Sequence, residues 1–591
     1  MKVLRAFLIQ LGIFVLFSSL TIPSFSAEIV LQVNPSKIVA PFSKDMLGVG
    51  LVNWDHSWGK PFPGQVPGLA QAYKAAHIHM IRYAGGLWAN SVGFDRTPQK
   101  TPNTAWTKSG MTYYFNYGTN EIDSLAQLAT QAGADVMIQV NISNNDPAMW
   151  ADMVKYTNKE KGYNFKYWEL GNELDSDPDH KISATTYYQR VQQYQTAMLA
   201  VDPSIQILAG VPAFPVEQVD GSDPLSGFVT QPSPGGKNLG GISWHWYQTC
   251  NTSSLADITR FSWDNTVSTN SWRNAYTRNW AKILPSRIKQ NVLPNYPTVK
   301  QGVTELNVDA CNFNNVYNAN HIAAVWFSDV IGRLAYNGIN YVTMYTGYGI
   351  DSYSILYPDN ESGTTKIMAR PTYYPLLMYG QYFGDSMIES TSANESQVSI
   401  WASKDSADPG AIKLMITNIS GAAVSGKVIL SGIAQGQVNT YQLTSTNATD
   451  TGSSSITMNA STVINDKKID AMNVNASLSQ IQPVVSALND GQAFLSLPAY
   501  STTAVVIRTS GSSVTPTKTP TGTNPTATTT PGCSKKTNGD ANCDGAVNLS
   551  DFEIYRREFT GTTNTKTADF DGSGAVNIVD FEIFRRGYLA S

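Results

Sequence analysis

Between residues 45 and 345 the chain alternates eight short apolar runs with stretches whose apolar residues recur at helical spacing. The runs are DMLGVGL, HMIRYAG, DVMIQVN, YWELGNE, IQILAGV, ISWHWY, KQGVTEL and YVTMYT. NEIDSLAQLATQAGA, SATTYYQRVQQYQTAMLAVD and HIAAVWFSDVIGRLAYNG are three of the helical stretches. Eight such alternations predict a (β/α)8 TIM barrel, whose functional side chains gather at the C-terminal ends of the strands. A doubly wound sheet competes, but it gives no reason for acids at the ends of runs four and seven.

A chain of 591 residues exceeds what one core supports. After RPTYYPLLMYGQYFG the texture changes to alternating, Ser/Thr-rich strands such as VSIWAS, AIKLMITNI and GKVILSG, a β-sandwich pattern that EIVLQVNP near the N-terminus completes. TPTKTPTGTNPTATTTPG then reads as an extended tether, because its composition cannot form a core. The expected organisation is a leader at 1–26, a barrel at 43–382, a sandwich from 27–42 and 383–508, a linker at 509–532 and a small module at 533–591. The fold class is α/β, with an accessory β-sandwich and a small α-helical tail.

Lys2 and Arg5 precede an apolar stretch from Ala6 to Ile22, and Ser24 and Ser26 suit signal peptidase, so the chain is expected to be secreted and to start near Ala27. No later segment is apolar enough to span a bilayer. Export permits disulfides. Four cysteines allow three pairings, of which Cys250 with Cys311 and Cys533 with Cys543 is the expected one. A net charge of −4 offers no basic surface for nucleic acid. Sparse charge beside 29 Tyr and 13 Trp suits an uncharged, ring-shaped ligand.

The chemistry concentrates in KYWELGNELD, residues 166–175. Glu173 follows the fourth run, and Glu305 ends the seventh, 132 residues later. On a closed barrel these strands face each other across one mouth. Two carboxylates about 5 Å apart can cleave a glycosidic bond with retention, one as acid and then base, the other as nucleophile. Asn172 beside the acid can hold the sugar hydroxyl next to the reacting carbon. Glu169 points inward but deeper, as a structural carboxylate. Trp54, Trp58, Trp88 and Trp150 follow strands one to three, where indoles can stack on sugar rings; two of the four are expected to do so, Trp54 and Trp88 being the selected pair. His77 and His79 lack a third ligand nearby, which argues against zinc. No GxSxG, HExxH or phosphate-loop pattern occurs.

On these residues the chain resembles glycoside hydrolase clan A, whose members carry an Asn-Glu acid/base after strand four and a Glu nucleophile after strand seven. GNE at 171–173, TELN at 304–307, HWY at 245–247, RYAGG at 82–86 and RPTYY at 370–374 fall in the order seen in families 39, 51 and 79. Those families pair the barrel with a sandwich built from both chain ends, here residues 28–508. Their second-strand motif is usually Arg-x-Pro-Gly-Gly, and Ala84 replaces the proline. The resemblance implies that Arg82 keeps the nucleophile ionised, that Tyr247 hydrogen-bonds Glu305, and that His245 and Asn141 line the sugar site. It implies no cofactor for catalysis.

The tail contains an internal repeat, GDANCDGAVNLSDFEIYRREF and ADFDGSGAVNIVDFEIFRRGY, offset by 29 residues. Oxygen-bearing side chains recur at loop positions 1, 3, 5, 9 and 12: Asp540, Asn542, Asp544, Asn548 and Asp551, then Asp569, Asp571, Ser573, Asn577 and Asp580. Gly545 and Gly574 stand at position 6. This spacing suits two Ca2+ ions. Residues 538–588 resemble a dockerin, the module that plugs secreted enzymes into cohesins of a scaffold, although Leu549, Ser550, Ile578 and Val579 occupy positions where many dockerins carry small hydroxyls. The expectation is a secreted, retaining hydrolase of plant cell-wall polysaccharide, docked on a cohesin scaffold. A catalytically inactive carbohydrate-binding barrel is the alternative.

Overall fold

The computed structural model describes residues 28–52, 61–98, 105–108, 110–174, 177, 179–210, 239–249, 258, 285–286, 288–290, 293–294, 296–312, 315–358, 367–445, 447–449, 456–458, 462–463, 481–509, 539–542, 547, 549–559 and 566–590. The expected leader, the expected linker beyond Thr509, Trp54, Trp58, Asp544, Asn548, Cys250, Cys533 and Cys543 lie outside these ranges. Cys311 is disulfide-bonded. Contacts divide the chain into two units, Met1–Ser513 and Val514–Ser591.

In the first unit, eight parallel strands close into a barrel in chain order: Gly48–Leu51, Met80–Tyr83, Asp135–Val140, Tyr167–Leu170, Gln206–Gly210, Leu239–Thr249, Lys300–Asp309 and Tyr341–Tyr345. They coincide with the eight apolar runs, and closure excludes the doubly wound sheet. The helices between them include Leu69–Ala75, Thr119–Ala132, Ala184–Val201 and His321–Tyr336. Period-two alternation sorts each strand. Trp168 and Leu170 face outward into the barrel–helix core, while Tyr167 and Glu169 face the axis. Met80, Met137, Tyr167, Leu208 and Tyr341 form an apolar layer across the axis. Gly302 makes room for that layer, since a Cβ there would meet the Tyr341 ring at 1.7 Å.

Below this floor Tyr167 donates to Asp45 Oδ2 at 3.0 Å, and His79 Nδ1 lies 2.8 Å from Asp45 Oδ1. His79 therefore does have carboxylates nearby, Asp45 and Asp135, and the first of them is already hydrogen-bonded. His77 is exposed, outside any strand.

Ile29–Pro41 pairs antiparallel with Ser386–Ser392 and parallel with Val424–Leu430, which places the N-terminal strand inside an 11-stranded sheet. The sheet curls around its own apolar core, with Leu31, Ile400, Leu414, Val428 and Ile507 among the residues inside. Its opposite face carries Trp401 and Met415 into the barrel's core. Trp401 donates to Asp329 on helix His321–Tyr336 at 3.2 Å, and that helix's His321 lies 2.7 Å from the Tyr500 carbonyl.

In the tail, helices Leu549–Phe559 and Ile578–Ala590 enclose Ala541, Val547, Tyr555, Ala568, Phe570 and Phe584. Tyr555 donates across to the Asn577 carbonyl at 3.0 Å. No helix among the described residues is long and apolar enough to cross a membrane.

Candidate active site and metal centre

Directly above the apolar floor, two residues further along the second, third and fourth strands, stand Arg82, Gln139 and Glu169. Arg82 is wholly buried. Its Nε donates to Glu169 Oε2 at 2.6 Å, Nη1 to Glu305 Oε1 at 2.9 Å and Nη2 to Asn172 Oδ1 at 2.9 Å. Burying a guanidinium is tolerable only with such partners, and two carboxylates raise its affinity for the proton against desolvation. Glu169, the deeper acid, is thus the fixed partner of Arg82.

Glu305 reaches the axis through an irregularity the sequence does not announce. Opposite strand six, the pairing jumps from Trp244 with Val303 to His245 with Glu305, so strand seven carries one extra residue, Thr304. Strict alternation from the inward Gly302 would turn Glu305 outward; the bulge turns it in. The strand also continues past Glu305 to Asp309, so this acid lies within strand seven rather than at its end.

Burial opposes ionisation of Glu305. The charges of His245 and Arg82 and the hydrogen bonds from Tyr247 and Arg82 outweigh it and hold the carboxyl below its usual range. The Tyr247 hydroxyl donates to Glu305 Oε2 at 2.6 Å. Tyr247 packs in turn against Tyr345 and Tyr353.

The fourth strand ends in an irregular turn. Gly171 has φ 82° and Glu173 φ 48°, flanking Asn172. Gly171 adopts that conformation at little cost, whereas for a glutamate the left-handed region costs on the order of 1 kcal/mol or more. The turn leaves Glu173 half-buried at the mouth, its Oε1 lying 2.6 Å from His245 Nδ1. That nitrogen is 3.6 Å from Glu305 Oε2, and Nε2 is 3.4 Å from Arg82 Nη2. Burial disfavours the His245 cation, but Glu305 and Glu173 together raise its pKa above the ordinary value. One oxygen each of Glu173 and Glu305 and a nitrogen of His245 lie within 4.8 Å of one another.

Asn172 Oδ1 accepts from Arg82 and, at 2.6 Å, from Gln139 Nε2. Its Nδ2 is buried without a protein partner.

The other expected residues stand apart from this network of hydrogen bonds. Asn141 is buried and its amide is already engaged in shaping loops: Nδ2 donates to the Val92 carbonyl and Oδ1 accepts from Ser143. Trp150 is fully buried on helix Pro147–Val154, edge-on to Tyr117 at 5.8 Å. Trp88 is 38% exposed on the turn after strand two, edge-on to Phe115 at 4.6 Å. Sequence reasoning missed Gln139, which shares the inward parity of Met137, and it missed Asn90, Tyr345 and Tyr353, which no periodicity marks. Arg370 of RPTYY lies 4.4 Å over the Tyr357 ring and donates to the Asp351 carbonyl, tying down the loop after strand eight.

In the tail, Asp569, Asp571 and Asp580 each bring a carboxylate oxygen within 4.8 Å of the others. Asp569 Oδ1 is buried with no hydrogen-bond partner, as a cation ligand would be, and Gly574 has φ 84° at the sharp turn. Asp580 accepts from the Asp571 N–H at 3.1 Å, and Asp551 accepts equivalently from Asn542 at 3.0 Å, 29 residues earlier. Hard oxygen donors in this arrangement fit Ca2+. The exposed Ser573 and half-buried Asn577 stand on the same loop, while Asp540 is buried at the start of the first.

Residues 538–587 match the dockerin type I domain. Over 200 residues the chain is 25% identical to the probable alpha-L-arabinofuranosidase C of Aspergillus fumigatus, a stretch of 30% of this chain and 38% of that relative's length. A bifunctional glucanase-xylanase from a metagenome library is similar in structure, with TM-score 0.58 and 18% identity over 82% of this chain and 99% of that one. The alpha-L-arabinofuranosidase of Thermotoga maritima in its arabinose complex gives TM-score 0.58 and 14% identity, covering 81% and 100%. A family 44 xyloglucanase of Paenibacillus polymyxa gives 0.56 and 13%, covering 82% and 100%. The chain therefore shares the fold of these structures, a closed eight-stranded barrel with an added β-sheet domain, and ends in a segment that matches the dockerin type I domain.

Proposed function

We propose that this chain is a secreted, retaining glycoside hydrolase acting on plant cell-wall polysaccharide, brought to a scaffold by its dockerin. The observation that carries the reading is the approach of Glu173 and Glu305 to within 4.8 Å. Carboxylate oxygens this near each other suit the close pair of a retaining enzyme better than the wider pair between which an inverting enzyme holds its water.

In the first step Glu305 attacks the anomeric carbon while Glu173 gives its proton to the departing oxygen. A glycosyl ester forms as the glycosidic bond breaks. In the second step Glu173 takes a proton from water, which displaces Glu305 and restores the anomeric configuration. Arg82, Tyr247 and His245 keep Glu305 ionised before attack and stabilise it as it leaves. Asn172 Nδ2, a desolvated donor with its Oδ1 pinned by Arg82 and Gln139, suits the hydroxyl beside the reacting carbon. Trp88 offers an indole at the mouth for a neighbouring sugar. The dockerin implies a cohesin partner, and its loops would hold two Ca2+ ions.

The similar proteins are named for arabinofuranosides, glucan, xylan and xyloglucan, so the test is a panel of arabinan, arabinoxylan, xylan, β-glucan and xyloglucan. Product configuration is followed by proton NMR from the first turnover. Retained configuration on at least one substrate is expected; an inverted product, or no turnover on any of them or on activated aryl glycosides, refutes the proposal.

A further inference from the structure

We infer that Asn90 is a positioning residue for the acid/base turn, an inference that rests on reading Glu173 as the acid/base. The ladder between strands three and four ends where the Gly171 N–H donates to the Val140 carbonyl at 2.8 Å. Past this point no strand among the described residues pairs with Asn172, and the chain runs between two left-handed residues, Gly171 and Glu173. The carboxamide of Asn90 takes the strand's place. Its Oδ1 accepts from the Asn172 N–H at 3.1 Å, and its Nδ2 donates to the Asn172 carbonyl at 2.6 Å. Both peptide planes around Asn172 are fixed by one side chain, and those planes set the directions of the Asn172 amide and the Glu173 carboxyl.

The direction of the Asn90 amide is itself determined. Its second N–H donates to Asp177 Oδ2 at 2.9 Å, so a flipped amide would face a carboxylate with its oxygen and a backbone N–H with its NH2 group. His180 Nδ1 lies 2.8 Å from the same Asp177 oxygen, and the Asp177 N–H donates to the Glu173 carbonyl at 2.9 Å, closing the turn on itself. Asn90 is wholly buried and Asp177 is 4% exposed, so water does not stand in for either. Ser143 Oγ donates to the Asn90 carbonyl at 3.0 Å, and Asn141 holds Val92 just beyond. The loop work of Asn141 thereby supports the turn that bears Asn90.

The test compares Asn90→Ala and Asn90→Asp with the parent enzyme on phenyl and 2,4-dinitrophenyl glycosides of one sugar the enzyme accepts, reading kcat/KM. A misdirected acid harms only departures that need a proton. The phenyl substrate is therefore expected to lose about 10–100-fold and the dinitrophenyl substrate less than about 3-fold. Asn90→Asp, which keeps the volume but sets a carboxylate against Asp177, follows the same pattern if Asn90→Ala does not fold. Equal losses on both substrates, or none on either, overturn the inference. A crystal structure of Asn90→Ala decides independently of turnover. Glu173 is expected to leave its positive φ and move at least about 1 Å from His245, and an unmoved Glu173 overturns the inference. Failure of the acid/base reading itself would show differently, as equal losses on both substrates in Glu173→Ala.

Discussion

Both ends of the barrel hold a histidine against a carboxylate, and the two pairs have opposite characters. At the floor, His79 and Tyr167 engage the two oxygens of Asp45 beneath a closed apolar layer. Burial works against that charge, but those two hydrogen bonds keep Asp45 below its ordinary range. At the mouth, His245 stands between two carboxylates, one guanidinium serves two acids, Asn172 Nδ2 and Gln139 Oε1 are buried without partners, and Glu173 holds a costly backbone conformation. Satisfied groups lock a structure; unsatisfied and strained ones mark where a ligand completes it. The same residue types at two ends of one barrel thus form a satisfied network at the floor and an incompletely satisfied one at the mouth.

The largest effect that sharpens this contrast is at Glu305. Glu305→Gln is expected to lower hydrolysis of polysaccharide and of activated aryl glycosides alike by at least about 10⁴-fold, because a neutral amide replaces the carboxylate proposed to attack. Glu173→Ala should keep part of the activated-substrate rate. A residual rate above a few per cent in Glu305→Gln points to another nucleophile.

The tail offers the same signature in a cation site, through the unpartnered Asp569 Oδ1. Chelating calcium is expected to destabilise residues 514–591 by about 3–4 kcal/mol, the linkage expected for an ion present far above its dissociation constant. Aryl glycoside hydrolysis should not change. Equal melting curves for the tail with and without EDTA would remove calcium from the reading.

At the floor the expectation reverses. Asp45→Ala strands the His79 ring and the Tyr167 hydroxyl and should cost about 2–3 kcal/mol of stability, while kcat of the folded enzyme stays within about 3-fold. A catalytic loss rivalling that of a mouth variant breaks the contrast between the two ends.

What the sequence disclosed follows from period and parity. Eight runs matched eight strands because parallel strands covered on both faces leave near-continuous apolar segments. Glu169 was legible because it alternates with the outward Trp168 and Leu170, whereas Arg82, His245 and Tyr247 entered through the resemblance carried by RYAGG and HWY. Asn90 and Asp177 were not, since their roles depend on turns that no repeat encodes. The Thr304 bulge was hidden as well, although without it Glu305 would face away. Asn141 and Trp150 follow strand three as a cleft residue would, yet loop closure and helix packing claim them. Residue type and strand order locate a site, whereas the conformation of the connecting turns decides which nearby side chains enter it.

Glu121 tests what burial does to a carboxylate that has no cation beside it among the described residues. It occupies the third position of helix Thr119–Ala132, fully buried, accepting from the Tyr83 hydroxyl and from the Gly118 N–H at 3.4 Å. Burial pushes it up to about 8 from an ordinary 4.5, with both hydrogen bonds pulling the other way. Between these values the folded chain keeps a proton that the unfolded chain has released, so stability falls as pH rises through the window and this group adds no slope outside it. Each step of one pH unit across that window removes about 1.4 kcal/mol, a few kcal/mol in all. Glu121→Gln cannot ionise, so its melting temperature should fall less steeply than the parent's from pH 5 to 8, whatever its height at pH 5. Parallel slopes would mean that Glu121 is ionised in the folded protein, and that a buried carboxylate here needs no partner of the kind Arg82 gives Glu169 and Glu305.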